Sequence, residues 1–68
     1  MGSNVEIRET GLYQLTQDKA YRAGVSTFTL SKGTHLFVRQ IDKETRKFYS
    51  DAIGDWQYWD QPFIKVGY

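Results

Sequence analysis

Cysteine is absent from the 68 residues, which excludes a disulfide framework and any thiolate metal site and leaves stability to side-chain packing. No apolar run approaches the roughly 20 residues of a membrane-spanning helix. The first residues lack the charged and apolar regions of a signal peptide, so the expected setting is the cytoplasm, with no membrane contact. Charge of one sign is lacking too: nine Lys and Arg are scattered among eight Asp and Glu, for a net charge of +1. A nucleic-acid binder ordinarily carries a stronger basic bias, and the same balance disfavours a highly acidic mimic of nucleic acid. No segment longer than about ten residues repeats apolar positions at i, i+3 and i+4, which argues against a substantial amphipathic helix. Catalytic equipment is equally thin, with one histidine, no Gly-rich phosphate loop and no serine in a nucleophile elbow. The chain reads as a non-enzyme that uses no cofactor.

What is present is a single short domain, expected over residues 4–68, with Met1-Gly2-Ser3 read as a cloning remnant. Aromatic residues make up 16% of the chain, and each can bury about 150–250 Å², so they are the expected staples of the core. Turn signals arrive at short intervals, as in a β meander. In residues 4–9, Val5 and Ile7 alternate with Asn4, Glu6 and Arg8, the period of a half-buried strand. After Gly11, Leu12, Tyr13 and Leu15 start a second extended piece. Residues 17–22 are polar and read equally as an irregular loop or a short helical turn. Thr27-Phe28-Thr29-Leu30 alternates strictly and predicts a strand, with a turn at Ser31-Lys32-Gly33-Thr34. In residues 35–41, Leu36, Val38 and Gln40 share one face, and Phe37, Arg39 and Ile41 the other. Residues 42–45 predict a hairpin connection, with a return strand over residues 46–53. Gly54-Asp55 is a further tight connection before Trp56-Gln57-Tyr58-Trp59, and Pro62 precedes a last strand over residues 63–66. The count is five or six strands. Closing so short a sheet into a barrel would remove its exposed edges, so the expectation is an all-β chain forming a small barrel.

The segment Leu30-Ser31-Lys32-Gly33-Thr34-His35-Leu36-Phe37-Val38 is similar to the Src-homology-3 family's apolar-x-Lys-Gly-Asp turn and the strand after it. Gly11-Leu12-Tyr13-Gln14-Leu15 loosely resembles that family's Ala-Leu-Tyr-Asp-Tyr stretch, and Pro62 sits where the family has a proline before its final strand. The resemblance covers residues 11–66 and implies an Src-homology-3-like barrel. That family binds proline-rich peptides in an aromatic groove. Tyr13 matches the first groove tyrosine, but Leu15 stands at the second, Phe48-Tyr49 replaces the tryptophan pair, and Lys65 stands at the tyrosine after the proline. Fold alone therefore leaves the ligand open.

Several groups of residues bear on function. His35 begins a strand beside a turn and reads as an ordinary residue, because a metal site needs further ligands and only carboxylates are at hand. Asp51, Asp55 and Asp60 are close in sequence but lack calcium-loop spacing, and Asp is common in turns. The segment Trp56-Gln57-Tyr58-Trp59-Asp60-Gln61-Pro62-Phe63 holds more aromatic side chains than one strand face can bury. If Trp56 and Tyr58 point inward, Trp59 points outward, either as an interface anchor or as a lid over the end of the barrel. The leading expectation is a protein-interaction module, an inhibitor, adaptor or small subunit, docking through Tyr13, Trp56, Tyr58, Trp59 and Phe63. The alternative is a nucleic-acid-binding barrel that uses Phe37, Arg39, Arg46, Lys47 and Tyr49 to stack bases and contact phosphates. The same aromatic pair, Phe37 and Tyr49, reads otherwise as a cross-strand pair in the core. The chain is expected as a monomer, or as a homodimer joined through Trp59, Phe63 or Tyr68.

Overall fold

The computed structural model describes residues 5–67. Within them the chain is all-β, built from ten strand segments: β1 (Val5–Glu6), β2 (Gly11–Leu15), β3 (Lys19–Ala23), β4 (Ser26–Leu30), β5 (His35–Val38), β6 (Gln40–Asp42), β7 (Lys47–Ser50), β8 (Asp55–Tyr58), β9 (Asp60–Gln61) and β10 (Phe63–Gly67). They pair antiparallel in four small sheets, β1-β9, β10-β2-β5, β3-β4 and β6-β7-β8, and none of these closes into a barrel. Single-residue interruptions of the strands at Arg39, Trp59 and Pro62 account for three of the segments beyond the five or six expected, and the unexpected β3 for another. No described helix is long and apolar enough to cross a membrane. The proposed cloning remnant, residues 1–3, lies outside the described residues.

Alternation decides what each strand buries. In β2 the buried residues are Gly11, Tyr13 and Leu15, in β5 Leu36 and Val38, and in β7 Phe48 and Ser50. Of these, Tyr13, Leu15, Leu36, Val38 and Phe48 join Ile7, Tyr21, Ile53 and Phe63 in one cluster, against which Phe28, Leu30, Ile41 and Trp59 pack. The centre of the cluster is aromatic, with Phe63 edge-on to Phe48 at 5.9 Å and tilted against Tyr13 at 6.0 Å between centroids. Strand β2 carries neighbours on both sides, β10 and β5. Gly11 makes this possible: its φ is +146°, and a Cβ there would stand 2.7 Å from the Gly67 carbonyl oxygen.

Three local expectations change. Residues 19–22, within the polar segment read as loop or helical turn, form β3 together with Ala23 and pair with β4 from Lys19↔Leu30 to Ala23↔Ser26. The two strands are joined by a two-residue turn whose first position, Gly24, has φ +62°. Only Tyr21 of β3 is buried, which is why the period-2 signal is weak there. The second change is a β-bulge in the chain from β5 to β6. The Arg39 N–H donates to the Tyr49 carbonyl at 2.9 Å, while Gln40 is the residue facing Tyr49 in the ladder. Two residues thus oppose one, so Ile41 turns inward beside Leu36 and Val38, and Gln40 turns outward. Third, the return strand ends at Ser50, whose carbonyl accepts from the Ile53 and Gly54 N–H groups at 3.1 and 2.8 Å, and this turn tucks Ile53 into the core.

Candidate interaction surface

The outward face of the β6-β7-β8 sheet collects rings and cations. Its register sets Asp42 opposite Lys47, Lys47 opposite Tyr58, Gln40 opposite Tyr49 and Tyr49 opposite Trp56. Alternation puts Phe48 and Ser50 inside, so Lys47 and Tyr49 stand on the other side of β7 with Trp56 and Tyr58. The Tyr49 and Trp56 centroids are 5.7 Å apart, and the Arg39 guanidinium lies 5.2 Å from the Tyr49 centroid. Lys47 Nζ is likewise 5.2 Å from the Tyr58 centroid. Trp56 is 38% exposed and Tyr58 69%, so both present apolar area to solvent on a rigid three-stranded base.

Carboxylates frame this face. Asp51 lies 3.5 Å from Arg39. Asp55 accepts from the N–H groups of Trp56 at 2.7 Å and Gly24 at 3.2 Å, tying the β3-β4 turn to the start of β8. Gln57 extends that tie by donating to the Arg22 carbonyl at 2.9 Å. Asp42 accepts from the Glu44 and Thr45 N–H groups. Hydrogen bonds from Thr45, side chain first and then backbone, hold the Asp42 carboxyl below its usual range, with Glu44 and Lys47 adding to them. Asp51, Asp55 and Asp60, weighed as a calcium loop, do not come together as a cluster of three carboxylates among the described residues.

The structure separates the side chains proposed for protein binding. Trp56 and Tyr58 face outward, whereas Trp59 is half-buried and packs against the core, the reverse of the arrangement in which Trp59 alone pointed out. The reason is register: both Trp56 and Tyr58 lie opposite outward residues of β7, while Trp59 N–H bonds to the Arg46 carbonyl beyond the strand end. Tyr13 and Phe63 are core residues, 2% and 0% exposed. Tyr13 is further anchored by donating its hydroxyl to the Glu9 carbonyl at 2.8 Å. With Phe63 inside, an interface between two copies cannot use it, and Tyr68 lies outside the described residues.

The residues proposed for nucleic acid also divide. Arg39, Lys47 and Tyr49 share the face just described. Phe37, 49% exposed, stands opposite Leu12 on β2 in the other three-stranded sheet, so Phe37 and Tyr49 are not the core pair of the alternative reading. Arg46 lines a separate cleft with Glu6, Arg8, Lys43 and Trp59. Glu6, Arg8 and Lys43 had no signal in the sequence beyond their charge, because strands distant in the chain bring them together. Also unforeseen is the exposure of Ile64 and Val66 on β10. Comparison with protein-family models, curated protein sequences and solved structures finds no match.

Proposed function

We propose that the chain is a non-catalytic protein-interaction module, an inhibitor, adaptor or small subunit, that docks through Trp56 and Tyr58. The observation carrying this reading is the pair of exposed rings on one sheet face, backed by Tyr49 and flanked by Arg39 and Lys47. Trp, Tyr and Arg concentrate binding energy at protein interfaces, above all when their neighbours hold them in place. An Src-homology-3-like reading of the fold is supported by the long excursion of residues 16–34 between β2 and β5 and by the return of β10 onto β2. The aromatic groove of that family is not the proposed site, since Tyr13 is buried here.

The test is capture of a partner on immobilised protein, compared with folded Trp56→Ala and Tyr58→Ala variants, with nuclease present. A partner retained from low to high salt and weakened by about 2 kcal/mol or more in Trp56→Ala supports the reading. Equal capture by wild type and both variants removes this face from the site.

A second reading, single-stranded nucleic acid on the same face through Arg39, Lys47 and Tyr49, with Phe37 and Arg46 further away, is favoured by the cations stacked on rings. Retardation of oligonucleotides that weakens steeply with salt supports it, and no retardation at low salt removes it.

A further inference from the structure

A cleft of about 410 Å³ opens where β1 and the β6–β7 connection flank Trp59. Its walls follow from two backbone bonds. Ile7 N–H donates to the Trp59 carbonyl at 2.8 Å, and Trp59 N–H donates to the Arg46 carbonyl at 2.9 Å. Three chain segments thereby run side by side with Trp59 in the middle. Glu6 and Arg8 line one side, Lys43 and Arg46 the other. The indole is half-buried, packing partly on the core while it lines the cleft.

The charges of the two sides differ. Arg8 is matched by Glu6, with Arg8 Nε donating to Glu6 Oε2 at 2.8 Å. The side chains of Lys43 and Arg46 make no ion pair or hydrogen bond among the described residues. Arg46 is also the only described non-glycine residue with positive φ, +58°. A left-handed conformation costs an ordinary residue about 1–2 kcal/mol, and glycine would adopt it freely. The turn that returns the chain from Asp42 to Lys47 sets this φ. Arg46 lines the cleft, and its charge is unpaired among the described residues.

We propose that this cleft binds a nucleoside phosphate. The phosphate takes the place between Lys43 and Arg46, where two donors and two positive charges lack a counter-charge. The base stacks on Trp59, the aromatic surface of the cleft. Glu6 keeps Oε1 as an acceptor for a ribose hydroxyl or a base amino group, donors that a simple aryl phosphate lacks. The volume falls within the range of small-molecule sites. The same chemistry is offered by a free nucleotide and by the terminal nucleotide of a strand. The site uses neither Trp56 nor Tyr58, so the docking face and the cleft stand or fall separately.

Trp56→Phe leaves Trp59 as the single tryptophan, and its emission reports binding. That protein is titrated with a nucleoside monophosphate, the matching nucleoside, inorganic phosphate, phosphotyrosine and a short 5′-phosphorylated oligonucleotide. Saturable change in Trp59 emission is expected with the monophosphate, roughly tenfold tighter than with nucleoside or inorganic phosphate because stacking and charge act together. Arg46→Gly and Lys43→Gln are each expected to weaken it about tenfold, the loss of one charge-assisted contact. Arg46→Gly should not lower the thermal midpoint, since glycine suits that φ, which separates lost binding from lost folding. Tighter binding of the oligonucleotide assigns the site to strand ends, and equal or weaker binding to free nucleotides. The proposal is overturned by no saturation with either nucleotide form, by unchanged affinity in both variants, by inorganic phosphate binding as tightly as the nucleotide, or by a preference for phosphotyrosine.

Discussion

Tyr21 shows how one buried polar side chain couples stability to pH. It is 2% exposed and donates its hydroxyl to Gln61 Oε1 at 3.1 Å. Burial pushes its phenol above the ordinary value of 10.0, and burial also raises Tyr13 despite the opposing charge of Lys65. A group whose folded-state pKa is raised contributes stability that is fully present below its unfolded value and is lost as pH rises through the folded one. The melting midpoint is therefore expected to fall above pH ~10, and Tyr21→Phe to flatten that fall. Thermal melts of both proteins in alkaline buffers check this; parallel curves would refute it. Ser50 is a different case. It is buried, and its hydroxyl has no hydrogen-bond partner among the described residues. An orphaned buried polar group costs about 1–3 kcal/mol, while the turn bonds of Ser50 use only its carbonyl. Ser50→Ala is expected to raise stability by about 1 kcal/mol in urea denaturation.

At the scale of the strand, neighbours in sequence have unequal weight. Leu36 is 1% exposed and Phe37 49%. Leu36→Ala should cost about 2–5 kcal/mol, with the spread depending on how far the cavity collapses. Phe37→Ala, which loses only the covered half of its ring, should cost less, about 1–2 kcal/mol. Denaturant midpoints of the pair check that assignment of faces. The bulge yields a sharper test. Deleting Gln40 removes the extra residue and leaves Arg39 alone opposite Tyr49, so alternation keeps Ile41 inward and the cost should stay well below the roughly 1.5–3 kcal/mol of exposing an isoleucine. A loss of that full size in denaturant midpoints would show that Gln40 is not the extra residue of a bulge.

At the scale of the whole fold, nine buried apolar residues among those described, supplied by segments from Ile7 to Phe63, form one cluster. The Cα radius of gyration, 10.9 Å, is close to the ~11 Å of a folded chain of this length. Small chains have little stability in reserve, with folding free energies at the low end of about 5–15 kcal/mol. Phe48, fully buried and edge-on to Phe63, is thus expected to be indispensable: Phe48→Ala at about 3–5 kcal/mol approaches the whole margin. Circular dichroism should show that variant largely unfolded, and a cooperative melt at the wild-type midpoint would contradict a core centred there.

Local patterning was sufficient for the all-β class, for β4 at Thr27-Phe28-Thr29-Leu30 and for the hairpin around residues 42–45. Alternation and turn residues act over a few positions and need no knowledge of partners. The same patterning also marked Trp56 to Phe63 as holding more rings than one face can bury. Which rings those were depended on register. A shift of one residue exchanges the two faces of a strand, so the pairing of Tyr49 with Trp56 decided that Trp56 and Tyr58 face solvent while Trp59 packs inward. The bulge at Arg39 and Gln40 likewise overrode the simple alternation of residues 35–41. The strand at residues 19–23 was concealed because only Tyr21 is buried there, and its ladder with β4 supplies what its side chains do not signal. The cleft belonged wholly to the tertiary structure: Glu6, Arg8, Lys43, Arg46 and Trp59 meet only because backbone bonds across distant segments set β1, Trp59 and the β6–β7 connection side by side.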